Sequence, residues 1–315
     1  MKPSPDTCAS EFAHAMQQAL TETPRRISPK WFYDAEGSRL FDAICELPEY
    51  YPTRTELGLL DRHANDIARR LGPGVELVEF GAGSLRKVRL LLEALERPAG
   101  LLPIDISAEH LHASAAQLQR DRPGLAVRPL AADFTQDLVL PPAHGPRVGF
   151  FPGSSIGNFE PDEARRLLQR MAGWLDGGLL VGVDLVKEPD LLHAAYNDAQ
   201  GVTARFNRNL LVRANSELGA DFELNRWAHS AFYHPALQRI EMHLVSRSDQ
   251  VVHLCGHAIP VAEGDSVHTE NSYKYTVAGF QRLARQAGFA PEAVWVDARR
   301  WFALHWLKPA EGQAL

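Results

Sequence analysis

Two short runs carry the first sign of chemistry. Leu77-Val-Glu-Phe-Gly-Ala-Gly83 ends an apolar run with an acid and two glycines. Gly81 and Gly83 permit a tight turn and a close approach of backbone to a ligand. Further on, Pro103-Ile-Asp105 closes a second apolar run with a carboxylate. That pair reads as the first two strands of a nucleotide-binding sheet, with Asp105 set to accept hydrogen bonds from a ribose. The third glycine of the dinucleotide fingerprint is missing, because Ser84-Leu85-Arg86-Lys87 follows. A pyrophosphate needs that close helix approach, whereas an adenosyl group carrying a sulfonium does not. The residues therefore favour S-adenosylmethionine over a nicotinamide dinucleotide, and methyl transfer over hydride transfer.

Such residues need a sheet to hold them, and the periodicity predicts one. Over 55–71 the apolar residues Leu60, Ala64, Ile67, Ala68 and Leu71 form a helical face, stopped by Gly72-Pro73-Gly74. Strands are expected over 75–80, 101–106, 125–131, 148–151 and 179–185, with helices over 87–95, 108–119 and 162–175. Strands alternating with helices imply a parallel sheet covered on both faces. The fold class is thus α/β, a doubly wound Rossmann-like sheet of the S-adenosylmethionine-dependent methyltransferase kind. Beyond about Pro189 the segments 222–227, 239–245 and 251–254 alternate like antiparallel strands with one wet face. A helix over 277–287 and strands over 293–296 and 301–307 then return. The expected division is a cofactor domain of 55–190 and 277–315, and an inserted α+β substrate-binding domain of 1–54 and 191–276. Ligands of open α/β sheets sit beyond the carboxyl ends of the strands. The residues there are Gly81, Gly83, Asp105, Asp133-Phe134, Pro152 to Asn158, and Asp184 to Lys187.

Composition narrows the classes. At 315 residues, with 45% apolar and 23% charged residues, the chain is an ordinary globular protein. A net charge of −6 and the lack of a long basic run argue against a nucleic-acid partner. Cys8, Cys45 and Cys255 are few and scattered, which argues against a disulfide framework and suits a reducing compartment. Met1-Lys2-Pro3-Ser4-Pro5-Asp6 lacks the apolar core of a signal peptide, and no apolar stretch is long enough to span a bilayer. A cytoplasmic monomer that acts on a small molecule, without a membrane or nucleic-acid partner, is expected. His253, Cys255 and His257 would share one face of a strand, yet a fourth ligand is not evident and no metal is expected.

Several longer blocks resemble one family. They are Trp31-Phe-Tyr-Asp34, Gly37-Ser38, Leu47-Pro-Glu-Tyr-Tyr-Pro-Thr-Arg-Thr-Glu56 and Gly153-Ser-Ser-Ile-Gly-Asn158. Asp184-Leu-Val-Lys187, Ala199-Gln-Gly-Val-Thr203, Phe206-Asn-Arg-Asn209 and Thr269-Glu-Asn-Ser272 continue the likeness across nearly the whole chain. These blocks resemble the histidine-specific Nα-methyltransferases of ergothioneine biosynthesis. The resemblance implies conversion of L-histidine to its trimethyl betaine, hercynine, with S-adenosylmethionine as donor and no metal. It also implies a methyltransferase domain joined to a substrate domain built from the N-terminus and an insertion.

Roles can then be set residue by residue. Gly81 and Gly83 would pass under the methionine and ribose parts of the cofactor, and Asp105 would take the ribose hydroxyls. The resemblance adds Lys87, whose ammonium suits the methionine carboxylate; from position alone it reads as a solvated helix residue. Asp133 and Phe134 stand where this fold class receives adenine, with core packing the plainer reading of Phe134. The resemblance places Asn158 on the substrate amine, and Tyr33 and Tyr196 at the carboxylate end. An asparagine after glycine otherwise reads as a turn residue. Glu270 and Ser272 share a strand face and could bracket an imidazole, the carboxylate accepting the ring N–H; a solvated strand face is the bland alternative. The resemblance adds Tyr50 to that pocket, and Met242 either lines it or belongs to the core. Asn271 and Tyr273 stand where the family has smaller residues, which puts the pocket's shape in doubt. Tyr33, Tyr50 and Tyr196 are unranked candidates for the group that takes up protons between methylations. A different acceptor, tryptophan-like or a modified histidine, is the runner-up. A catalytically idle binding module comes next, and a nicotinamide oxidoreductase last.

Overall fold

The structure, a computed structural model, describes residues 8–310; the segment Met1–Asp6 weighed above as a leader lies outside them. Two compact units emerge: residues 1–50 with 188–271, and residues 51–187 with 272–315. Each is described by itself.

The first unit begins with helices α1 (Glu11–Thr21) and α2 (Ala35–Cys45). The second unit begins with α3 (Tyr51–Leu71), followed by β1 (Glu76–Phe80), α4 (Arg86–Ala94), β2 (Gly100–Asp105), α5 (Ala108–Asp121), β3 (Leu130–Ala131), β4 (Arg147–Phe151), α6 (Pro161–Trp174) and β5 (Gly178–Asp184). The chain then returns to the first unit with α7 (Pro189–Tyr196), α8 (Val202–Leu218), β6 (Trp227–His234), β7 (Arg239–Ser246), β8 (Gln250–Leu254), β9 (His257–Val261) and most of β10 (Ser266–Tyr273). Helix α9 (Val277–Gln286), β11 (Phe289–Val296) and β12 (Phe302–Pro309) complete the second.

In the second unit a seven-stranded sheet has the order β11-β12-β5-β4-β1-β2-β3. The five strands from β5 to β3 are parallel, and β12 runs antiparallel to β5 and β11. Strands β1 and β5 are buried along their whole length, as a sheet covered on both faces requires. One face packs Leu77, Leu101, Val148 and Leu304 against α3, α4 and α5; the other packs Val78, Leu102, Phe151 and Val183 against α6 and α9. The strand expected over 125–131 shrinks to Leu130–Ala131 plus one bridge at Val127. Pro129 has no N–H to give a ladder, so pairing breaks there.

In the first unit β10, β7 and β6 form one sheet and β8 pairs with β9. The strand expected over 222–227 starts only at Trp227, because Leu224–Arg226 form a helical turn. Contrary to the expectation for scattered cysteines, Cys8 and Cys255 are joined by a disulfide. Packing of α1 against β9 brings together residues that lie 247 positions apart. Among the described residues, no helix is long and apolar enough to cross a membrane.

Candidate active site

The residues expected to bind the cofactor lie in the second unit, at the carboxyl ends of its parallel strands. After β1 the chain turns with Gly81 at φ 68° and Gly83 at φ 51°, a left-handed region that side chains disfavour. The Gly83 N–H donates to Asp105 Oδ2 at 3.0 Å, and Asp105 Oδ1 accepts the Ser107 N–H at 2.9 Å. Asp105 therefore locks the first loop to the second while its carboxylate stays partly exposed. Asp133 accepts the Thr135 N–H at 2.9 Å and its hydroxyl at 2.5 Å, which shapes the loop after β3. Phe134 meets Phe80 and Phe151 edge-on at 6.0 and 5.7 Å, so the core-packing reading holds for much of its ring.

Two buried glutamates on β1 behave differently. Glu76 is paired with Arg128 and Arg147 and has a structural use. Glu79 is 1% exposed, and its Oε2 has no hydrogen-bond partner among the described residues. Burial pushes its carboxyl well above the usual range; Asp105 and Glu56 add to this and Lys87 opposes it. An unsatisfied acceptor there fits an ammonium donor, while the Lys87 ammonium nearby fits a carboxylate. An amino-acid moiety carries both groups, so these residues fit the methionine end of S-adenosylmethionine. The sequence marked Glu79 as the acid closing the first apolar run but gave it no role of its own.

Lys87 is not the solvated helix residue that position alone suggested. Its Nζ lies 2.7 Å from Glu56 Oε2, and Glu56 is fully buried. The same carboxylate accepts the Gly153 N–H at 2.9 and 3.1 Å. The loop after β4 continues into a short helical turn, Ser155–Asn158, which presents Asn158 half-buried at its end. A Cβ on Gly157 would stand 2.7 Å from the Tyr273 carbonyl oxygen, so glycine lets the turn lie against the end of β10. The Tyr273 phenol donates to Glu160 Oε2 at 2.5 Å on the other side of Asn158. Tyr273, flagged above as larger than its family counterpart, thus braces the loop.

Behind that loop is a charged cluster that sequence reading did not assign. Asp184, at the end of β5, is 1% exposed and receives Lys187 at 2.6 Å, Lys274 at 2.8 Å and the Tyr51 hydroxyl at 2.7 Å. Burial alone would raise its pKa, but the two ammonium groups hold it below the usual carboxylate range. Burial brings Lys187 down to about 8 despite Asp184. Lys274 also donates to Ser272 Oγ at 2.7 Å.

Several of the residues expected to bind the acceptor lie in the first unit. Asp34 caps α2 by accepting the Gly37 N–H at 2.7 Å and takes a second bond from Asn209 on α8 at 2.8 Å. That cap sets Tyr33 beside Phe41 and Phe206, each at 5.8 Å. Phe41 contacts Tyr50 at 6.4 Å, and Tyr50 contacts Tyr196 at 6.3 Å. Tyr33, Tyr50 and Tyr196 therefore belong to one aromatic cluster. Burial pushes the Tyr50 phenol well above its ordinary value, and Tyr196, Cys45, Glu270 and Tyr33 add to the shift. Glu270 is close enough to be felt by that cluster.

A hydrogen-bonded chain places Tyr196 and β10. His229 Nε2 bonds the Tyr196 carbonyl at 2.9 Å, and His229 Nδ1 accepts from Asn207 at 2.9 Å. Asn207 in turn accepts the Thr269 hydroxyl at 2.8 Å, next to Glu270. Met242, 1% exposed on β7, gives its carbonyl to the same hydroxyl. This chain ties the Phe206-Asn-Arg-Asn209 block to the Thr269-Glu-Asn-Ser272 block.

The His253, Cys255 and His257 set is taken apart: Cys255 is in the disulfide and His253 is bound to Asp221. Glu241, His243 and His268 lie near one another, but Arg239 already occupies the Glu241 carboxylate at 2.6 Å.

The chain is similar to several known proteins. A solved methyltransferase, CcbJ of Streptomyces caelestis, superposes with a TM-score of 0.50 over 87% of this chain and 97% of its own, at 15% identity, which speaks to the fold alone. The histidine N-alpha-methyltransferase of Mycolicibacterium smegmatis is 39% identical over 307 residues, 95% of each chain. Its counterpart in Mycobacterium tuberculosis is 38% identical over 90% of this chain and 91% of its own. At 26% identity, the 4-dimethylallyltryptophan N-methyltransferase of Claviceps purpurea covers 93% of both. Residues 12–309 match the family described as histidine-specific methyltransferase, SAM-dependent, and the chain belongs to that family.

Proposed function

We propose that the protein transfers methyl groups from S-adenosylmethionine to the α-amine of L-histidine until the trimethyl betaine, hercynine, is reached, the reaction that opens ergothioneine biosynthesis. The observation that carries the reading is the cluster of Tyr33, Tyr50 and Tyr196 within reach of the Glu270 charge. Phenols suit a carboxylate end, and an anionic acceptor suits a ring N–H. High identity to two histidine N-alpha-methyltransferases supports histidine over a tryptophan-like acceptor.

When bound, the cofactor supplies an electrophilic methyl group on a sulfonium. Everything else is asked of this chain. Gly81, Gly83, Asp105, Asp133 and Phe134 hold the adenosyl part; Lys87 and Glu79 hold the amino-acid end. Asn158 accepts from the substrate amine and aims its lone pair, and alignment of this kind supplies much of the rate in a displacement. Glu270 and Ser272 take the imidazole, Tyr33 and Tyr196 the carboxylate, and Tyr50 lines the same pocket with Met242 behind it. Burial raises the Tyr50 phenol further above its ordinary value, so Tyr50 stays protonated and serves as a hydrogen-bonding wall of the pocket. The proposed setting is the cytoplasm, with a monomer as the acting unit.

Incubating the protein with S-adenosylmethionine and an equimolar pool of the twenty amino acids, followed by mass spectrometry, tests this reading. Mass gains on histidine alone, ending at the trimethyl species, are expected. Gains on another amino acid would overturn the acceptor assignment.

A further inference from the structure

On α6 three residues fall at intervals of four: Arg166, Arg170 and Trp174. At about 3.6 residues per turn they make one stripe, with neighbours roughly 5–6 Å apart at Cβ. The stripe lines an open cleft of about 570 Å³ within the second unit. Asp137 and Leu138, from the loop between β3 and β4, line the same cleft. Its volume lies within the range of small-molecule sites, about 300–1,000 Å³.

Every polar group on the stripe is a donor. Nearby on α6 the long polar side chains are engaged: Arg165 meets Asp162 at 3.7 Å and Gln169 Oε1 at 3.2 Å, and Gln169 donates to the Gln286 carbonyl at 3.5 Å. Among the described residues, Arg166, Arg170 and the Trp174 indole N–H have no such partner. Asp137 shares the cleft but forms no ion pair with either guanidinium. Arg166 is exposed, and water satisfies it. Arg170 is different, because its Nε is buried without an acceptor. A buried, unpaired donor on a cation costs free energy, and an anion beside it offsets that cost. Phe80 stacks on one face of Trp174, with centroids 6.0 Å apart and planes 21° from parallel, which holds the indole in place. The rest of that half-buried ring and Leu138 give the cleft its apolar surface.

We propose that this cleft binds phosphate monoesters whose alcohol part carries free hydroxyls, as in nucleotides and sugar phosphates. Two guanidiniums on one helix face suit a tetrahedral dianion, which each can hold through paired N–H donors. The Asp137 carboxylate accepts from a ligand hydroxyl and repels a bare phosphate ion, so it favours the ester. The carbon skeleton of the ester then lies along the indole and Leu138.

The test is calorimetric titration of the full chain with the cofactor site saturated by S-adenosylhomocysteine. Ribose 5-phosphate and adenosine monophosphate are each expected to bind at one site per chain, and ribose not at all. Arg166→Gln and Arg170→Gln should each weaken that binding by roughly tenfold or more, the scale of a charge-assisted hydrogen bond. Their affinity for S-adenosylhomocysteine should stay at the parent's value, which also shows that they fold. Inorganic phosphate should bind the parent more weakly than the esters, and Asp137→Asn should remove the difference. Tighter binding of the nucleotide than of ribose 5-phosphate would identify a nucleotide as the occupant, its base against Trp174 and Leu138. Equal or weaker binding of the nucleotide would identify a sugar phosphate. No ester binding, or ester binding that either arginine variant retains in full, would overturn the proposal. Inorganic phosphate binding the parent as tightly as the esters would overturn the ester assignment.

Discussion

Glu56 binds Lys87 at 2.7 Å and the Gly153 N–H at 2.9 Å with one fully buried carboxylate. A residue of α3 thereby ties the helix that follows β1 to the loop that follows β4. Glu56, the last residue of the Leu-Pro-Glu-Tyr-Tyr-Pro-Thr-Arg-Thr-Glu56 block, thus places its charge at the sheet end. A Cβ on Gly182 would stand 2.0 Å from the same carboxylate, so β5 carries a glycine to admit it.

Removing this carboxylate should affect both binding and stability. Glu56→Ala leaves the Lys87 ammonium and the Gly153 N–H without their shared acceptor. The expected result is a roughly tenfold or greater loss of S-adenosylmethionine affinity, the scale of one charge-assisted hydrogen bond. Stability should fall by about 3 kcal/mol, as for other broken buried ion pairs. Glu56→Gln keeps an acceptor for Gly153 and should lie between the two. Calorimetric titration and chemical denaturation read these effects, and an unchanged cofactor Kd in Glu56→Ala would refute the link.

Substrate affinity and proton uptake should separate at Glu270 and Tyr50. Glu270→Ala should weaken histidine binding by roughly 1.5–3 kcal/mol, the range for hydrogen bonds to charged groups, with cofactor affinity nearly intact. Tyr50→Phe keeps the ring of a phenol that stays protonated well above its ordinary value. Its kcat–pH profile should therefore keep the parent's alkaline limb. A shift of that limb in Tyr50→Phe, or parental histidine affinity in Glu270→Ala, would reassign these roles.

How much of this was legible in the residues follows from the range of the forces involved. The parallel strands and their helices were readable because burial on both faces leaves largely apolar runs such as 101–104 and 179–183. Gly81, Gly83 and Asp105 were readable because a left-handed turn and a strand-end acid are local. Asp184 and Lys187 were readable as strand-end residues, but their cluster was not, because Lys274 joins it from 90 residues further along the chain. Glu79 was visible as the acid before the glycines, but its burial without a partner is a tertiary property that spacing does not show. The Cys8–Cys255 bond depended on how α1 packs, and no spacing rule reaches across 247 residues.

That bond makes its own prediction. A cross-link closing so long a loop stabilises chiefly by restricting the unfolded chain, typically by about 2–4 kcal/mol. Cys255→Ser should lower the midpoint of thermal unfolding, and dithiothreitol should lower the parent to the same value while leaving the variant unmoved. Equal midpoints for oxidised parent and variant would show that the link contributes nothing to the fold.

The last prediction concerns acid. His305 lies in β12 between Val181 of β5 and Val294 of β11, fully buried, with its ring 4.7 Å from Phe280. Neither ring nitrogen has a partner among the described residues. Burial lowers its pKa to about 4 from 6.5. The unfolded chain therefore binds more protons between those values, and each pH unit of decrease in that window favours unfolding. At 1.36 kcal/mol per unit, the loss attributable to this group reaches about 3 kcal/mol near pH 4. His305→Leu removes the titrating group and two unsatisfied nitrogens from an apolar layer. Its stability should match or exceed the parent's at neutral pH and fall less steeply between pH 6.5 and 4, as read by urea denaturation at a series of pH values. Parallel curves for the two proteins would place the acid sensitivity on other groups.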